Sequence, residues 1–350
     1  MRQVSMADNS DVCVRILLST YNGAAFLPAQ LESFLAQTYQ NWVLYWRDDG
    51  SSDETVEIMQ NFTRCVGAQR CIVAPNSGEH MGVLGSFLSL LSASVGSAFV
   101  AFADQDDVWF EGKLAAALAQ LAHAGDGPAL YCGRQYLVDA RLENCRMSIL
   151  YKTVPPFPAS LAYNLANGNT MVMNKAAMAL VARSKPPKGT MHDWWSYIVV
   201  SACGGKVIYD PQPQLFYRLH KQNVIGRAQP FMGRAWAALR RGSYIYITMV
   251  NRHLTALLGS SLPLTEDATR VAAGLRTAMR HSSFRRLGAL RYKHFQRQTM
   301  LENLLFRYWV LTGRVLEQED TILPALNYVQ DQDVSKPIAI QTFKHSLKRA

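Results

Sequence analysis

The sequence predicts an α/β fold: a mostly parallel sheet with helices on both faces, followed by a basic α-helical region. Three observations predict it. Short apolar runs of strand length alternate with amphipathic helical stretches through the first third of the chain. The composition is globular, with 49% hydrophobic and 18% charged residues among 350. Beyond Gly226 the pattern changes to long helical periodicity dense in arginine.

Residues 14–19, VRILLS, read as a buried strand. The stretch that follows, AAFLPAQLESFLAQTY, sets Leu27, Leu31, Phe34 and Leu35 on one helical face and tolerates Pro28 in its first turn. NWVLYWR (41–47) is the next strand. DDGSSDETVEIMQNF then turns into a helix, with Ser51 and Glu54 at capping-box spacing. CIVA (71–74) and AFVAFA (98–103) read as strands around a helix at 83–94, and FEGKLAAALAQLA as the helix after them. The second half is less regular. LYCGRQYLV (130–138), NTMVMN (169–174), KVIYD and QLFYRLH read as strands, and HDWWSYIVVSACGG (192–205) as a helix closed by glycines. ENLLFRYWVLTGRVLEQ (302–318) reads as a late helix. The expected division is a domain over 12–226, with halves 12–110 and 111–226, and a basic helical region over 227–350.

The formal net charge is +10. Between Arg227 and Arg297, thirteen Arg and Lys residues face only Glu266 and Asp267. Such a block fits an anionic partner or a solvated helical surface. The six cysteines form no C-x-x-C pair, and they read as mostly buried thiols of a reducing compartment. The opening MRQVSMADNSD lacks the apolar core of a signal peptide, and no apolar run reaches bilayer-spanning length. A dinucleotide-binding dehydrogenase is disfavoured, because the first strand leads into STYNG and not G-x-G-x-x-G.

The fourth strand ends in FADQDDVWF, which gathers Asp104, Asp106 and Asp107. Like charges this close repel and resist desolvation, so a counter-charge is required. A divalent cation supplies one, and Mg²⁺ is usually held by one or two carboxylates together with substrate phosphates. The alternative is a turn whose acids cap the next helix. In parallel sheets ligands sit beyond the carboxyl ends of the strands, where Asp48, Asp49 and Asp104 all fall.

STYNG, LESFLAQTYQNW, DDGSSD and FADQDDVW occur in that order, and together they resemble glycosyltransferase family 2, the inverting GT-A-type enzymes. The later NGNTMVMN, MHDWW and YRLHKQNVIG resemble its rhamnosyltransferase-like branch, whose members build bacterial surface polysaccharides. The resemblance spans about residues 12–226. It implies a GT-A-type, Rossmann-like sheet and a metal-dependent inverting transfer of a rhamnose-like or other hexose, with Mn²⁺ or Mg²⁺ as cofactor. It implies that Ser19 and Tyr21 line the base and ribose, that Asp49 accepts the pyrimidine N–H, and that Asp48 is a supporting or turn-forming acid. Asp104 and Asp106 form the D-x-D, and Asp106 and Asp107 match the acids that meet ribose and metal. Asp193 matches the general base. Trp194 and Trp195 are candidates for a sugar face or for the core, with one of the two facing the site. Arg218 is a candidate for the diphosphate and His220 for the metal or the diphosphate, against packing or a surface salt bridge. His192 is expected to be a structural hydrogen-bonder, and Glu79 and His80 have no assigned role. The absence of a Q-x-x-R-W motif argues for adding one sugar per encounter. The implied donor is dTDP- or UDP-linked, and the acceptor is a glycan or an isoprenoid-lipid-linked chain. The implied location is cytoplasmic, with peripheral membrane contact through the basic helices and no nucleic-acid partner. The competing reading is a scaffold that binds a nucleotide sugar or glycan without turning it over.

Overall fold

A computed structural model of the chain describes residues 12–220, 243–280 and 286–313. Its centre is a seven-stranded sheet. The strands are β1 (Val14–Thr20), β2 (Trp42–Asp48), β3 (Cys71–Val73), β4 (Phe99–Ala103), β6 (Ala129–Gly133), β9 (Val172–Asn174) and β10 (Lys206–Asp210), in the order β10-β6-β9-β4-β1-β2-β3. All neighbours run parallel except β9, which lies antiparallel between β4 and β6. A four-stranded sheet stands beside it in the order β5-β11-β7-β8, made from β5 (Val108–Trp109), β7 (Tyr136–Asp139), β8 (Arg146–Met147) and β11 (Leu215–Leu219).

Helices close both faces of the large sheet, as its doubly buried strands require. On one face, Phe34 of α1 (Leu27–Leu35) and Leu114 and Leu118 of α4 (Lys113–Ala122) join Trp42, Leu44 and Tyr131. On the other, Phe87 and Leu90 of α3 (Gly82–Ala93) share a core with Met178 of α6 (Lys175–Ala182) and with Trp194 and Ile198 of α7 (His192–Ala202). A short helix, α5 (Ala159–Ala162), packs against α7. The C-terminal helices are α8 (Ser243–Leu258), α9 (Glu266–Arg280) and α10 (Met300–Thr312). Ile247, Met249, Val250 and Leu254 of α8 are fully buried in the same core as Trp194. No helix among the described residues is long and apolar enough to cross a membrane.

Several local expectations change. The helix α2 (Thr55–Val66) has no capping box, since neither partner caps it; Ser51 instead donates to the Asp48 carboxylate at 2.6 Å, and the Asp53 carboxylate accepts from the Thr55 N–H at 3.1 Å. The predicted strand 130–138 is two strands in two sheets, broken at Arg134 and Gln135. Alternating hydrophobicity carries no sign of which sheet a strand joins, so the break was invisible in it. Helix α6 had no counterpart in the sequence reading. The predicted helix 302–318 ends at Thr312 within the described residues, and the expected boundary near 226 lies outside them. The six cysteines are free; against the expectation of mostly buried thiols, Cys71, Cys132 and Cys145 are buried, Cys13 and Cys203 are half-buried, and Cys65 is exposed.

Candidate active site

The β1–β2 register pairs Thr20 with Asp48 and the β1–β4 register pairs Leu18 with Ala103, so the three strand tips end almost level. The crevice beyond them holds the acids. Ser19 stands half-buried as the penultimate residue of β1, and Tyr21, just past the strand, is exposed. The loop after β1 is stapled to the end of β4 by Gln105: its Nε2 donates to the Tyr21 carbonyl at 2.9 Å, and its Oε1 accepts from the Tyr21 N–H at 2.8 Å. Gly23 leaves room for this staple, because a Cβ there would lie 2.1 Å from the Gln105 Oε1. In the sequence Gln105 is only the middle letter of D-x-D, and its polar side chain at that spot is the one signal of this role.

Asp48 is a turn former. Its carboxylate accepts from Thr20 Oγ1 at 2.9 Å, from Ser51 Oγ, and from the N–H groups of Gly50 and Ser51 at 3.0 and 2.7 Å. Asp49, expected at the pyrimidine, is buried and occupied by protein donors. Arg47 donates at 2.7 Å, the Met81 and Gly82 N–H groups at 2.6 and 2.9 Å, and Ser86 at 3.3 Å. Burial would raise its pKa, but the bonds from Met81, Arg47 and Gly82 and the nearby His80 outweigh it and hold the carboxyl below its ordinary value. Asp49 thus fastens the start of α3 to β2. This also gives His80 a place, with its Nδ1 2.9 Å from Asp49, while position 79 contributes only its backbone carbonyl, which accepts from Arg47. The mostly exposed His80 ring stands 5.6 Å from the exposed ring of Tyr21.

The acids after β4 separate into two groups. Asp104 and Asp106 stay with the crevice. Burial pushes the half-buried Asp104 carboxyl up to about 8, helped by the negative charges of Asp106 and then Asp193. Asp106 Oδ2 lies 2.7 Å from His220 Nε2. Asp107, expected at the metal, instead points into the protein and is fully buried. It accepts from Asn169 Nδ2 at 2.6 Å and from the Arg218 N–H at 3.4 Å. Burial, helped by the charges of Asp106 and then Asp104, holds its carboxyl well above the ordinary value. The buried Lys113 ammonium sits 3.6 Å from the Trp109 ring centroid without a hydrogen-bond partner; burial lowers that lysine to about 7, against the pull of Asp107. Arg218, expected at the diphosphate, is likewise buried. Its Nε donates to the Asp106 carbonyl at 2.8 Å and its Nη1 to the Ala140 carbonyl at 2.6 Å, so the guanidinium clamps the acidic turn from behind.

Asp193 occupies the first turn of α7 and is 8% exposed. Burial raises its pKa to about 6, against the hydrogen bonds it accepts from the Trp194 N–H, the Gly168 N–H and Asn164. Trp194, a candidate for a sugar face or for the core, lies wholly in the core and donates its indole N–H to the Ser160 carbonyl at 2.6 Å. Trp195 is equally buried and donates to Ser184 Oγ. His192 does not hydrogen-bond as expected. Its ring stacks on Phe87 at 3.9 Å, neither ring nitrogen has a partner, and burial lowers its pKa to about 3.

Among the described residues no group of three or more His, Cys, Asp and Glu forms a ready cation cage. The donor chemistry still fits a hard divalent ion that takes most of its ligands from phosphate: the Asp106 carboxylate and His220 imidazole are in contact, and Asp104 sits among like charges.

A mostly parallel sheet with acids at the tips of β2 and β4 and a buried carboxylic acid at the start of a helix defines a GT-A-type fold. Residues 15–185 match the model for glycosyl transferase family 2, and this segment is a domain of that family. The chain is therefore a glycosyltransferase, with rhamnosyltransferase-like relatives. It is 23% identical to the dTDP-rhamnosyl transferase RfbG of Shigella flexneri, over 60% of this chain and 73% of that protein. It is 35% identical to an Escherichia coli protein, UDP-Glc:alpha-D-GlcNAc-diphosphoundecaprenol beta-1,3-glucosyltransferase WfgD, over 30% of this chain and 39% of the relative. The crystal structure of Staphylococcus aureus TarS 1-349 matches 86% of this chain and 81% of its own, at 13% identity and a TM-score of 0.50, which bears on the fold alone.

Proposed function

We propose that this chain transfers a hexose, rhamnose-like or other, from a nucleoside-diphosphate donor to a hydroxyl of a glycan or lipid-linked acceptor, with inversion at the anomeric carbon. The observation that carries the proposal is the position of Asp193. The adjacent residues Gly168 and Asn169 donate to Asp193 and to Asp107, which brings the base close to the acidic turn after β4, and the Asp193 charge contributes to the raised pKa of Asp104. A pKa of about 6 leaves it mostly ionised at neutral pH and still basic enough to take a proton.

Asp193 accepts the proton of the acceptor hydroxyl as that oxygen forms its bond to the anomeric carbon. The bond from that carbon to the diphosphate oxygen breaks, and the nucleoside diphosphate leaves from the opposite face. The hydrogen bonds from Gly168 and Trp194 hold the carboxylate in place for this. Tyr21 and His80 offer aromatic surface to the nucleobase, and Ser19 is assigned to the ribose. Asp106 and His220, with Asp104 nearby, are the residues that would hold Mg²⁺ or Mn²⁺. When bound, the ion would neutralise charge developing on the departing diphosphate. Support for a dTDP- or UDP-linked donor and a lipid-diphosphate acceptor comes from the names of RfbG and WfgD.

The test is a panel of dTDP- and UDP-sugars assayed for nucleotide release and transfer with Mn²⁺, with Mg²⁺ and with chelator. One donor should stand out and chelator should abolish turnover. Turnover that ignores chelator removes the metal from the proposal, and normal transfer by Asp193→Asn removes the base.

A further inference from the structure

Helix α10 buries one face and exposes another, and both are apolar. Phe306 and Val310 point into the core, and Trp309 lies 5.7 Å from the Tyr246 ring of α8. A surface helix ordinarily turns charged and polar residues to water on the side opposite its buried stripe. Here Met300, Leu301, Leu304 and Tyr308 are 82%, 57%, 55% and 54% exposed. At 3.6 residues per turn these four fall within an arc of about 100°. Half-buried Leu311 lies on the same arc. A contiguous exposed apolar face of this kind marks an interaction site.

Its surroundings are basic. Arg307 is exposed on α10 itself, and Arg291 and Lys293 are exposed in the segment leading to it. Across 286–313 the charged residues are Arg286, Arg291, Lys293, Arg297 and Arg307 against Glu302 alone. We propose that the exposed face of α10 docks on an anionic lipid bilayer, with Met300, Leu301, Leu304 and Tyr308 at the acyl boundary and Arg291, Lys293 and Arg307 among the headgroups. Apolar burial and attraction to anionic lipid are the two contributions that hold an interfacial helix. Charge selects this occupant over a second copy of the chain, which would bring a surface of the same sign against this one.

Docking here would fix the height of the active site above the bilayer. Gln298 Nε2, just before α10, donates to Tyr163 Oη at 3.0 Å. Tyr246 Oη of α8 donates to the carbonyls of Leu161 and Ala162 at 2.8 and 3.0 Å. These contacts tie the helices to the segment that runs on through Asn164 to Gly168, both partners of Asp193. The inference goes beyond the proposed reaction, and it holds whichever sugar is moved.

The test is co-sedimentation of the full chain with vesicles of phosphatidylcholine alone and of phosphatidylcholine with phosphatidylglycerol, at low and high salt. The chain should bind the anionic vesicles, bind the neutral ones at least tenfold less, and lose binding as salt rises. Leu301→Glu combined with Leu304→Glu should lower binding at least tenfold while thermal stability and nucleotide release from donor stay unchanged. The milder pair Leu301→Ser and Leu304→Ser guards against misfolding and should move binding the same way. Equal binding by wild type and both pairs overturns the proposal, as does no binding by the wild type. It is also overturned if the wild type sediments as a dimer that the substitutions dissociate. Loss of nucleotide release with vesicle binding intact would count against the proposed reaction instead.

Discussion

Asp193 carries two opposing demands. As a base it must be ionised, yet burial favours its neutral form. With a pKa near 6, kcat/KM should fall on an acid limb centred there, as a pH profile with saturating metal would reveal. Asp193→Asn should lower transfer by roughly 10²–10⁴-fold and leave donor affinity within twofold by calorimetry. The shift also has a sign for stability. The folded pKa is raised above the ordinary 3.8, so the folded state holds the proton more tightly. The group's contribution is fully present at acid pH and is lost as pH rises from about 4 through 6. Removing the charge should then stabilise the fold at pH 7.5, by up to about 3 kcal/mol, read as a rise in thermal midpoint. The identity of this residue was legible through the family resemblance. Its raised pKa was not, because it comes from burial in a core that the fold assembles, against the hydrogen bonds from Trp194, Gly168 and Asn164.

At the scale of elements, the loop after β1 and the turn after β4 act as one unit through Gln105. Gln105→Ala frees the Tyr21 backbone, and Gly23→Ala pushes Gln105 away from it. Each should raise donor KM about tenfold with little change in kcat, and the double variant should be no worse than either single one, since both break the same staple. The acidic turn has a second support in Asp107, whose fully buried carboxyl accepts from Asn169 Nδ2 and the Arg218 N–H. Asp107→Ala leaves both donors unpaired and should cost roughly 1–3 kcal/mol for each in urea unfolding, and Asp107→Asn should recover part of that loss. The sequence placed these elements well, since strands, helices and acid-bearing turns follow from periodicity. The sorting of Asp104 and Asp106 from Asp107 escaped it, because Asn169 and Arg218 lie far along the chain from the acids they hold.

Across the whole molecule, the C-terminal helices are built into the transferase core. The fully buried His253 of α8 stands edge-on to Trp194 at 4.3 Å, lies 5.9 Å from Trp195, and places its Nε2 2.8 Å from Thr190 Oγ1. A helix from the basic region therefore braces the turn that presents Asp193. Burial lowers the pKa of His253 to about 3, against an ordinary 6.5. The unfolded chain takes up a proton there that the folded one refuses, so this group costs stability as pH falls from about 6.5 towards 3. His253→Asn should remove up to about 1.4 kcal/mol per pH unit of that acid sensitivity, measured by urea titrations between pH 4 and 7.

By itself the sequence determined the alternation that builds the sheet, the delivery of acids to its strand tips, and the motif set of the family. Those depend on residue type and spacing along the chain, which local periodicity reports directly. Only the tertiary structure decided what each side chain has left to offer a ligand. Asp49, Asp107, Arg218 and Trp194 have the right chemistry for substrate, but Ser86, Asn169, Ala140 and Ser160 engage them first. A buried polar group must satisfy its hydrogen bonds within the protein, and the partners that do so are brought there by the fold, from any distance along the chain.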